Sequence, residues 1–250
     1  DLVGILPGDL RAVLVAYRGF HCTEDRGACR PLENTLPAYE QAWGAGIRIC
    51  ECDVFLTSDA KLCLNHDASL RRLAMLSNQR APDDRPVSRM TKNVTEISFK
   101  ELLATPLKTG VRAPLLQEVL SVASHLEDAR LIVDLKPSDG GLLARALVQF
   151  CLDHPELVKS IAAVTSFDAN ELSHFIRLFP SGKPRPLVLL LAMQGPVADC
   201  AGKVVLDLHQ PDVCKVAEGI LSHGDARLDG VYCQWSEGMV AEAASNLEQL

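Results

Sequence analysis

The fold is decided by one stretch of the sequence, residues 47–67, IRICECDVFLTSDAKLCLNHD, which has the pattern of a strand, a tight turn and a second strand. Glu51 and Asp53 stand two residues apart in the first strand, so both carboxylates are expected on the same face. Two acids inside a strand-rich core cost free energy unless something pairs them. A divalent cation is the simplest partner, because Mg²⁺ and Ca²⁺ take oxygen ligands. A solvated strand face is the plainer alternative for such a pair.

Length and composition indicate an ordinary globular protein. The chain has 250 residues, of which 48% are hydrophobic and 23% charged. This length suits one α/β barrel or two small domains. Because no linker or break in composition interrupts the chain, we predict a single domain over residues 1–250. The net charge of −7 argues against a general nucleic-acid-binding protein, and nothing in the sequence fixes the oligomeric state.

The apolar runs and the cysteines give limited information about the cellular compartment of the protein. The longest apolar run, Pro186–Met193, is far shorter than the roughly 18 residues of a membrane span, so we predict a soluble protein without a transmembrane segment. The first residue is Asp1, which leaves open a removed signal and thus a cytoplasmic or a secreted protein. Cys22 and Cys29 could form a disulfide in an oxidising compartment. Four other cysteines lie in apolar segments and are expected to be buried free thiols: Cys50, Cys52, Cys63 and Cys151.

Strands and helices alternate along the whole chain. The predicted strands are Ala12–Tyr17, Ile47–Val54, Lys61–Asn65, Leu131–Pro137, Ile161–Phe167, Leu187–Leu191, Lys203–Leu208 and Gly230–Cys233. The predicted helices are Glu33–Trp43, Ser98–Leu103, Leu115–His125, Gly140–Asp153, Asp168–Leu178, Asp212–Ser222 and Glu237–Leu247. The segment Ala68–Pro114 is predicted to be long and irregular apart from the short helix near Ser98–Leu103. A loop of this length in a compact domain is more often functional than not. About eight such units in 250 residues favour an α/β fold closed into a TIM (β/α)8 barrel.

Charged residues recur where the predicted strands end, which is where a barrel carries its chemistry. The first four strands supply Tyr17, Arg18, Glu51, Asp53, His66, Asp67, Asp134 and Lys136. We interpret the three acids Glu51, Asp53 and Asp134 as ligands of a divalent cation. Arg18 and Lys136 would neutralise an anionic substrate, and His66 would transfer protons.

Each of these signals has a plainer explanation when it stands alone. A His-Asp dipeptide is usually a turn, and Lys136 before a proline could be a surface residue. Trp235, after the last strand, could form a substrate wall or simply pack at the rim, and His209 could line the mouth. Placement at consecutive strand ends is what favours the functional interpretation.

The motifs in this order resemble the glycerophosphodiester phosphodiesterase family. They are Ala16-Tyr17-Arg18-Gly19, Leu32-Glu33-Asn34-Thr35-Leu36-Pro37-Ala38-Tyr39, residues 51–59, Asn65-His66-Asp67, Asp134-Leu135-Lys136 and Ser166-Phe167-Asp168. The resemblance implies a TIM barrel of the phospholipase-C-like phosphodiesterase type, a bound Mg²⁺ or Ca²⁺, and hydrolysis of a glycerophosphodiester to glycerol 3-phosphate and an alcohol.

The same resemblance implies a role for each matching residue. Glu51, Asp53 and Asp134 match metal ligands, and Glu33 matches a position near the metal. Arg18 and Lys136 match positions that contact phosphate. His66 matches one of two catalytic histidines.

One departure concerns the other histidine, because the family motif carries histidine where this chain has Tyr17. A tyrosine, with an ordinary pKa of about 10, is a poor base at neutral pH. It could still donate a hydrogen bond, or titrate lower beside a cation. His21 follows four residues later, but a loop would have to fold back to bring it in. Loss of one acid–base group typically lowers the rate about 10²–10⁴-fold.

A second departure concerns Asp134, where the family commonly has glutamate. Aspartate at this place is similar to the sphingomyelinase D and phospholipase D toxins, which act on sphingomyelin or lysophospholipid. The side chain is one methylene shorter, so the cation would have to shift or a water would fill in.

Three hypotheses follow from these patterns. The first is an active metal-dependent phosphodiesterase with a small glycerophosphodiester or lysophospholipid substrate. The second is a weak or inactive relative that binds a phosphodiester or a metal. The third is a barrel used only to bind a partner.

Overall fold

The computed structural model describes residues 14–21, 30–74, 92–194, 205–206, 215, 218–219, 221–222 and 226–234. These residues form two compact units, the first within residues 1–134 and 149–162 and the second within 135–148 and 163–250. The single domain predicted for residues 1–250 stays a prediction. Among the described helices, none has the length and apolar character needed to cross a membrane.

The first unit is built around a central strand with neighbours on both sides. The strands are β1 (Val15–Ala16), β2 (Ile49–Leu56), β3 (Leu62–Leu64) and β4 (Arg130–Leu135). Strand β1 pairs in parallel with β2, and β4 is the neighbour of β2 on its other side. Alternate β2 side chains are fully buried thiols and a valine: Cys50, Cys52 and Val54. The predicted free, buried state of the four cysteines in apolar segments is confirmed.

Strand β3 corrects one feature of the predicted barrel. It pairs antiparallel with β2, with Leu56 opposite Leu62 and Val54 opposite Leu64. A parallel crossover takes a dozen or more residues, whereas the connection here is a turn that begins at Thr57 and passes through Ala60 at φ +59°. The third predicted strand is therefore the second arm of a hairpin, and it lies off the main path of the sheet.

The helices of the first unit follow their sequence signals closely. Those that precede β4 are α1 (Leu36–Gly44), α2 (Phe99–Leu103) and α3 (Leu116–Ser124). Proline in the first turn suits the start of α1, and Gly46 at φ +84° follows its end. A capping box opens α2, because the Ser98 hydroxyl accepts from the Glu101 N–H and the Glu101 carboxylate accepts from the Ser98 N–H.

The long segment after β3 is more ordered than predicted. Its described parts contain a 3₁₀ turn at Val94–Glu96 and helix α2. They also form a small apolar core whose buried members are Cys63, Leu70, Ala74, Val94, Ile97, Leu102 and Ala113. The short helix predicted near Ser98–Leu103 is confirmed as α2. The irregular structure expected around it was wrong for the described residues, because apolar residues spaced widely along the sequence meet in one cluster.

The second unit holds the other parallel strands. They are β5 (Ile161–Ser166), β6 (Leu187–Gln194), β7 (Val205–Leu206) and β8 (Gly230–Gln234), and the first residues of β5 belong to the first unit. Strand β6 pairs in parallel with β5 over Leu187–Leu190, with β7 at its last two residues, and with β8 over Leu189–Met193. This differs from the simple order of a (β/α)8 barrel, in which the seventh strand separates the sixth from the eighth.

Three further α-helices follow β4, namely α4 (Leu142–Asp153), α5 (Pro155–Val158) and α6 (Ala169–Leu178). The predicted N-cap of α6 is confirmed, since the Asp168 carboxylate accepts from the Asn170 N–H at 2.9 Å. Described positions 215, 218, 219 and 221 of the next predicted helix are helical. The last predicted helix, Glu237–Leu247, lies outside the described residues.

Gly19 allows a close approach between the turn after β1 and helix α1. Its φ is +80°, and a Cβ placed on it would lie 2.8 Å from the Cβ of Ala38. Gly110 has a similar φ of +78° with no atom within 4 Å of that position. We expect Gly110→Ala to lower the free energy of unfolding by about 1–2 kcal/mol through backbone strain alone. Gly19→Ala should lower it by about 1–3 kcal/mol more through overpacking, as measured by urea denaturation. Equal losses in the two variants would contradict this account.

Candidate active site

Three buried carboxylates of the first unit lie close together. Glu51 and Asp53 lie on β2 and Asp134 lies near the end of β4. One oxygen from each lies within 4.8 Å of the other two, and the residues are only 5%, 1% and 3% exposed. An all-oxygen set of three anionic groups is the donor chemistry of hard divalent cations. The shorter side chain of Asp134 therefore still reaches the other two acids.

A buried amide holds one of these acids in place. The Asn34 amide nitrogen donates to Asp53 Oδ2 at 2.7 Å, while its oxygen accepts from the Asp53 N–H at 3.1 Å and from the Tyr39 hydroxyl at 2.8 Å. Asn34 adopts φ +53°, a left-handed conformation that asparagine tolerates better than most residues. Its backbone N–H donates to the Arg18 carbonyl at 3.0 Å, which ties the two turns together.

Arg18 meets the acids with both its backbone and its side chain. The turn after β1 places it at φ +52°, and its N–H donates to Glu51 Oε2 at 3.0 Å. Its guanidinium lies 3.1 Å from Asp53 Oδ2 through Nε and 3.1 Å from Glu33 Oε1 through Nη1. The side chain is only 12% exposed, so these contacts are well shielded from water.

Tyr17 faces solvent beside this arginine. The residue is 55% exposed, its ring centroid lies 4.4 Å from the Arg18 guanidinium carbon, and its hydroxyl accepts a hydrogen bond from Arg18 Nη2. Partial burial raises the pKa of Tyr17 above its ordinary value; the charge of Arg18 opposes this and the carboxylates of Asp53 and Glu51 reinforce it. With its pKa raised, the phenol stays protonated at neutral pH in these surroundings.

Glu33 lies between two arginines rather than in the group of three acids. Its carboxylate accepts from Arg18 Nη1 and, through both oxygens, from Arg72 Nη1 and Nη2. Burial alone would raise the pKa of this carboxyl, but the hydrogen bonds from Arg72 and the charges of both arginines hold it below its ordinary value. Its assignment to the metal site stays a prediction.

His66 follows β3 and is oriented by its neighbour in the chain. Its Nδ1 lies 2.7 Å from Asp67 Oδ1, and Asp67 Oδ2 accepts from Arg72 Nε at 2.6 Å. Burial would raise the pKa of Asp67, but Arg72 and His66 keep it low, so the carboxylate is ionised and can only accept. The hydrogen-bond pattern therefore assigns the proton of a neutral His66 to Nδ1 and leaves the lone pair on Nε2.

The remaining predicted residues are placed less fully. Strand β4 ends at Leu135, so Lys136 lies one residue past it, partly exposed and in the second unit. His21 Nδ1 lies 3.2 Å from the Gly19 carbonyl, and its charge contributes to the low pKa of Glu33. Trp235, His209 and the Cys22–Cys29 pair lie outside the described residues.

Two residues that organise the site, Asn34 and Arg72, were not predicted from the sequence. Asn34 was part of a quoted motif, yet nothing in its type or spacing indicated that it would hold Asp53. Arg72 follows another arginine in a polar segment, and only its distance of six residues from His66 hinted at a shared site. Both act through partners far away in the sequence.

Comparison with known proteins places this site in a family. The sequence model of the glycerophosphoryl diester phosphodiesterase family matches residues 23–205. The chain belongs to this family. The resemblance drawn from the motifs is thereby confirmed, and so is the TIM barrel fold class that goes with it. The family is one of phosphoric diester hydrolases, and its members are generally dependent on divalent metal.

The chain is also similar to individual proteins of known sequence or structure. The chain is 29% identical over 152 residues to a Bacillus altitudinis glycerophosphodiester phosphodiesterase, a match over 59% of this chain and 58% of the relative. It is 25% identical to the solved Parabacteroides distasonis enzyme, covering 71% of this chain and 63% of that one with a TM-score of 0.52. An Oleispira antarctica phosphodiesterase, solved with the product sn-glycerol-3-phosphate, is 20% identical, covers 94% and 88% of the two chains and has a TM-score of 0.57.

The buried amide of Asn34 gives a test of how the acids are held. Asn34→Ala removes the donor to Asp53, so we expect the dissociation constant for a divalent cation, measured by calorimetry, to rise about 10–100-fold. Asn65→Ala is the matched control, because Asn65 is also buried, at 2% exposure, but donates to the carbonyls of Asp67 and Ser69. Equal weakening in both variants would mean that the contact with Asp53 does not matter.

Proposed function

We propose that this chain hydrolyses the phosphodiester bond of a small glycerophosphodiester or lysophospholipid, releasing a glycerol phosphate and an alcohol. One observation carries the proposal, namely the convergence of three buried carboxylates from β2 and β4 within 4.8 Å of one another. Such a group is difficult to explain as packing, because like charges in a buried place repel. The chain spans 58% of the length of the Bacillus relative and 63% of that of the Parabacteroides relative, so the activity of the whole protein is part of this proposal.

The donor set fits a divalent cation, held by Glu51, Asp53 and Asp134. Mg²⁺ and Ca²⁺ both accept such oxygen ligands, and we propose that one of the two is bound. When bound, the cation would supply positive charge against the phosphate oxygens. Glu33 would support the site from outside this group, because both of its oxygens already accept from arginines.

Arg18 would orient the phosphate from the side of β1. Its guanidinium is already fixed by Asp53 and Glu33, so little side-chain entropy is lost when an anion arrives. Lys136 is proposed as a second phosphate contact, on the strength of its place directly after β4. The described residues do not include the side chain of Trp235, proposed as a wall for the alcohol group.

His66 would be the acid–base group of the reaction. With Nδ1 bonded to Asp67, the neutral ring offers the lone pair of Nε2 to accept a proton from the attacking oxygen. After transfer, the imidazolium would be stabilised by the Asp67 carboxylate and could return the proton to the leaving alkoxide.

Tyr17 favours a second candidate function, a weak or inactive relative that binds the phosphodiester or the cation without efficient turnover. The phenol occupies the place of the second histidine, and its raised pKa prevents it from acting as a base at neutral pH. Its hydroxyl already accepts from Arg18, although its own proton remains available for donation. In this form, the barrel would keep its charges and lose one proton-transfer group.

The substrate proposed is a small molecule with a glycerol phosphate half. The Oleispira relative was solved with sn-glycerol-3-phosphate, and we propose the same product for this chain.

The first test is turnover in the presence of metal. We expect release of glycerol 3-phosphate from glycerophosphoethanolamine with added Mg²⁺ or Ca²⁺, and none with chelator. Glu51→Gln should lower kcat/KM at least about 100-fold, because several kcal/mol of charge stabilisation depend on the cation. Glu40→Gln, an exposed acid on α1, should leave the rate unchanged. If calorimetry detects no divalent binding in either the parent chain or Glu51→Gln, a barrel used only for partner binding is favoured.

The second test separates the two candidate functions at position 17. Tyr17→His should raise kcat by about 10²–10⁴-fold if a second acid–base group is what the chain lacks. Tyr17→Phe is the matched control, because it keeps the ring beside Arg18 and removes the hydroxyl, and it should not raise the rate. No turnover by the parent chain together with turnover by Tyr17→His would establish the second candidate. A strong loss in both variants would instead make the phenol itself a catalytic group.

A further inference from the structure

We propose that Arg72 is a positioning residue of this site, which fixes His66 through Asp67 and couples it to Arg18 through Glu33. The proposal rests on the proposed function, since it assigns His66 the proton transfer. Arg72 lies in the segment after β3. It is not one of the three acids of the proposed metal site, and it does not belong to a strand or a helix.

The first contact of Arg72 is with Asp67. Its Nε donates to Asp67 Oδ2 at 2.6 Å, while the other oxygen of that carboxylate faces His66 Nδ1 at 2.7 Å. The carboxylate is thus held from both sides. Without Arg72, one oxygen of a side chain that is one-third exposed would be left to water, and the carboxylate could rotate away from the imidazole.

The second contact of Arg72 is with Glu33. Its Nη1 and Nη2 donate to the two oxygens of that carboxylate in a parallel pair, and one of these oxygens also accepts from Arg18 Nη1 at 3.1 Å. Bidentate pairs of this kind fix angle as well as distance. Glu33 is only 4% exposed at the side chain, so it is held firmly.

Together these contacts form one continuous chain of charge. It runs from His66 through Asp67, Arg72, Glu33 and Arg18 to Asp53, with alternating sign after the imidazole. Arg72 joins the histidine side to the carboxylate side through ion pairs with Asp67 and Glu33. All three nitrogens of its guanidinium are used, and a lysine ammonium cannot reproduce that planar arrangement.

The test compares Arg72→Ala, Arg72→Lys and Arg71→Ala. We expect both changes at Arg72 to lower kcat about 10–100-fold, with a smaller effect on KM. Arg71 is an exposed arginine one residue earlier that forms no ion pair with the described part of the chain, so Arg71→Ala should match the parent chain. Guanidinium ion at millimolar concentration should restore several-fold activity to Arg72→Ala and none to Asp67→Asn.

Coupling to Asp67 provides a second measurement. If Arg72 acts through Asp67, the double variant Arg72→Ala with Asp67→Asn should lose little more kcat than Asp67→Asn alone. Additive losses, the absence of guanidinium rescue, or equal rates for Arg72→Ala and Arg71→Ala would each overturn the proposal. Should Arg72→Ala fail to fold, Arg72→Lys decides by the same kcat criterion.

A spectroscopic measurement keeps this proposal separate from the proposed function. Nitrogen NMR of the His66 imidazole should show the Nδ1-protonated tautomer in the parent chain and a mixture with the Nε2-protonated form in Arg72→Ala. This readout does not need turnover. If the parent chain is inactive and the tautomer shifts as expected, the proposed function fails while the role of Arg72 stands; an unchanged tautomer overturns that role.

Discussion

The repulsion among Glu51, Asp53 and Asp134 is the constraint that the surrounding structure has to satisfy. Two unit charges 4.8 Å apart repel by about 3 kcal/mol at an effective dielectric constant of about 20, and three such pairs are present. The first unit answers with donors that come from the chain itself. Arg18 contributes a backbone N–H and a guanidinium, and Asn34 contributes an amide. Both residues adopt left-handed backbone conformations, so the turn geometry is strained where the charge is most concentrated.

The local part of this arrangement could be predicted from the sequence because it follows from backbone geometry. Alternation along a strand is a property of the pleat, so a two-residue spacing places Glu51 and Asp53 together whatever the tertiary fold. The direction of β3 relative to β2 does not follow from the alternation along a strand. The turn between Leu56 and Leu62 was recognised, but the strand was counted as a barrel strand although so short a connection can only join antiparallel strands. The short length of the connection between β2 and β3 indicates the antiparallel pairing.

The partners of the site could not be predicted, because they are chosen by tertiary proximity. Arg72 contacts a carboxylate 39 residues away, and Asn34 contacts one 19 residues away. No periodicity in the sequence links such positions. Nothing in the sequence shows which of the two adjacent arginines, Arg71 or Arg72, contacts the site. The apolar cluster after β3 escaped notice for the same reason, since its members are scattered over residues that individually resemble a polar loop.

Because of Tyr17, ligand binding and catalytic turnover at this site can change independently of each other. Binding of a cation or a phosphate depends on charges, and Tyr17 leaves every one of them in place, because its hydroxyl accepts from Arg18 without displacing that guanidinium from Asp53. Turnover depends on proton transfer, and Tyr17 contributes a phenol whose pKa lies above its ordinary value. Affinity and rate are therefore separable in this chain. The site could therefore bind its ligand tightly while it turns that ligand over slowly.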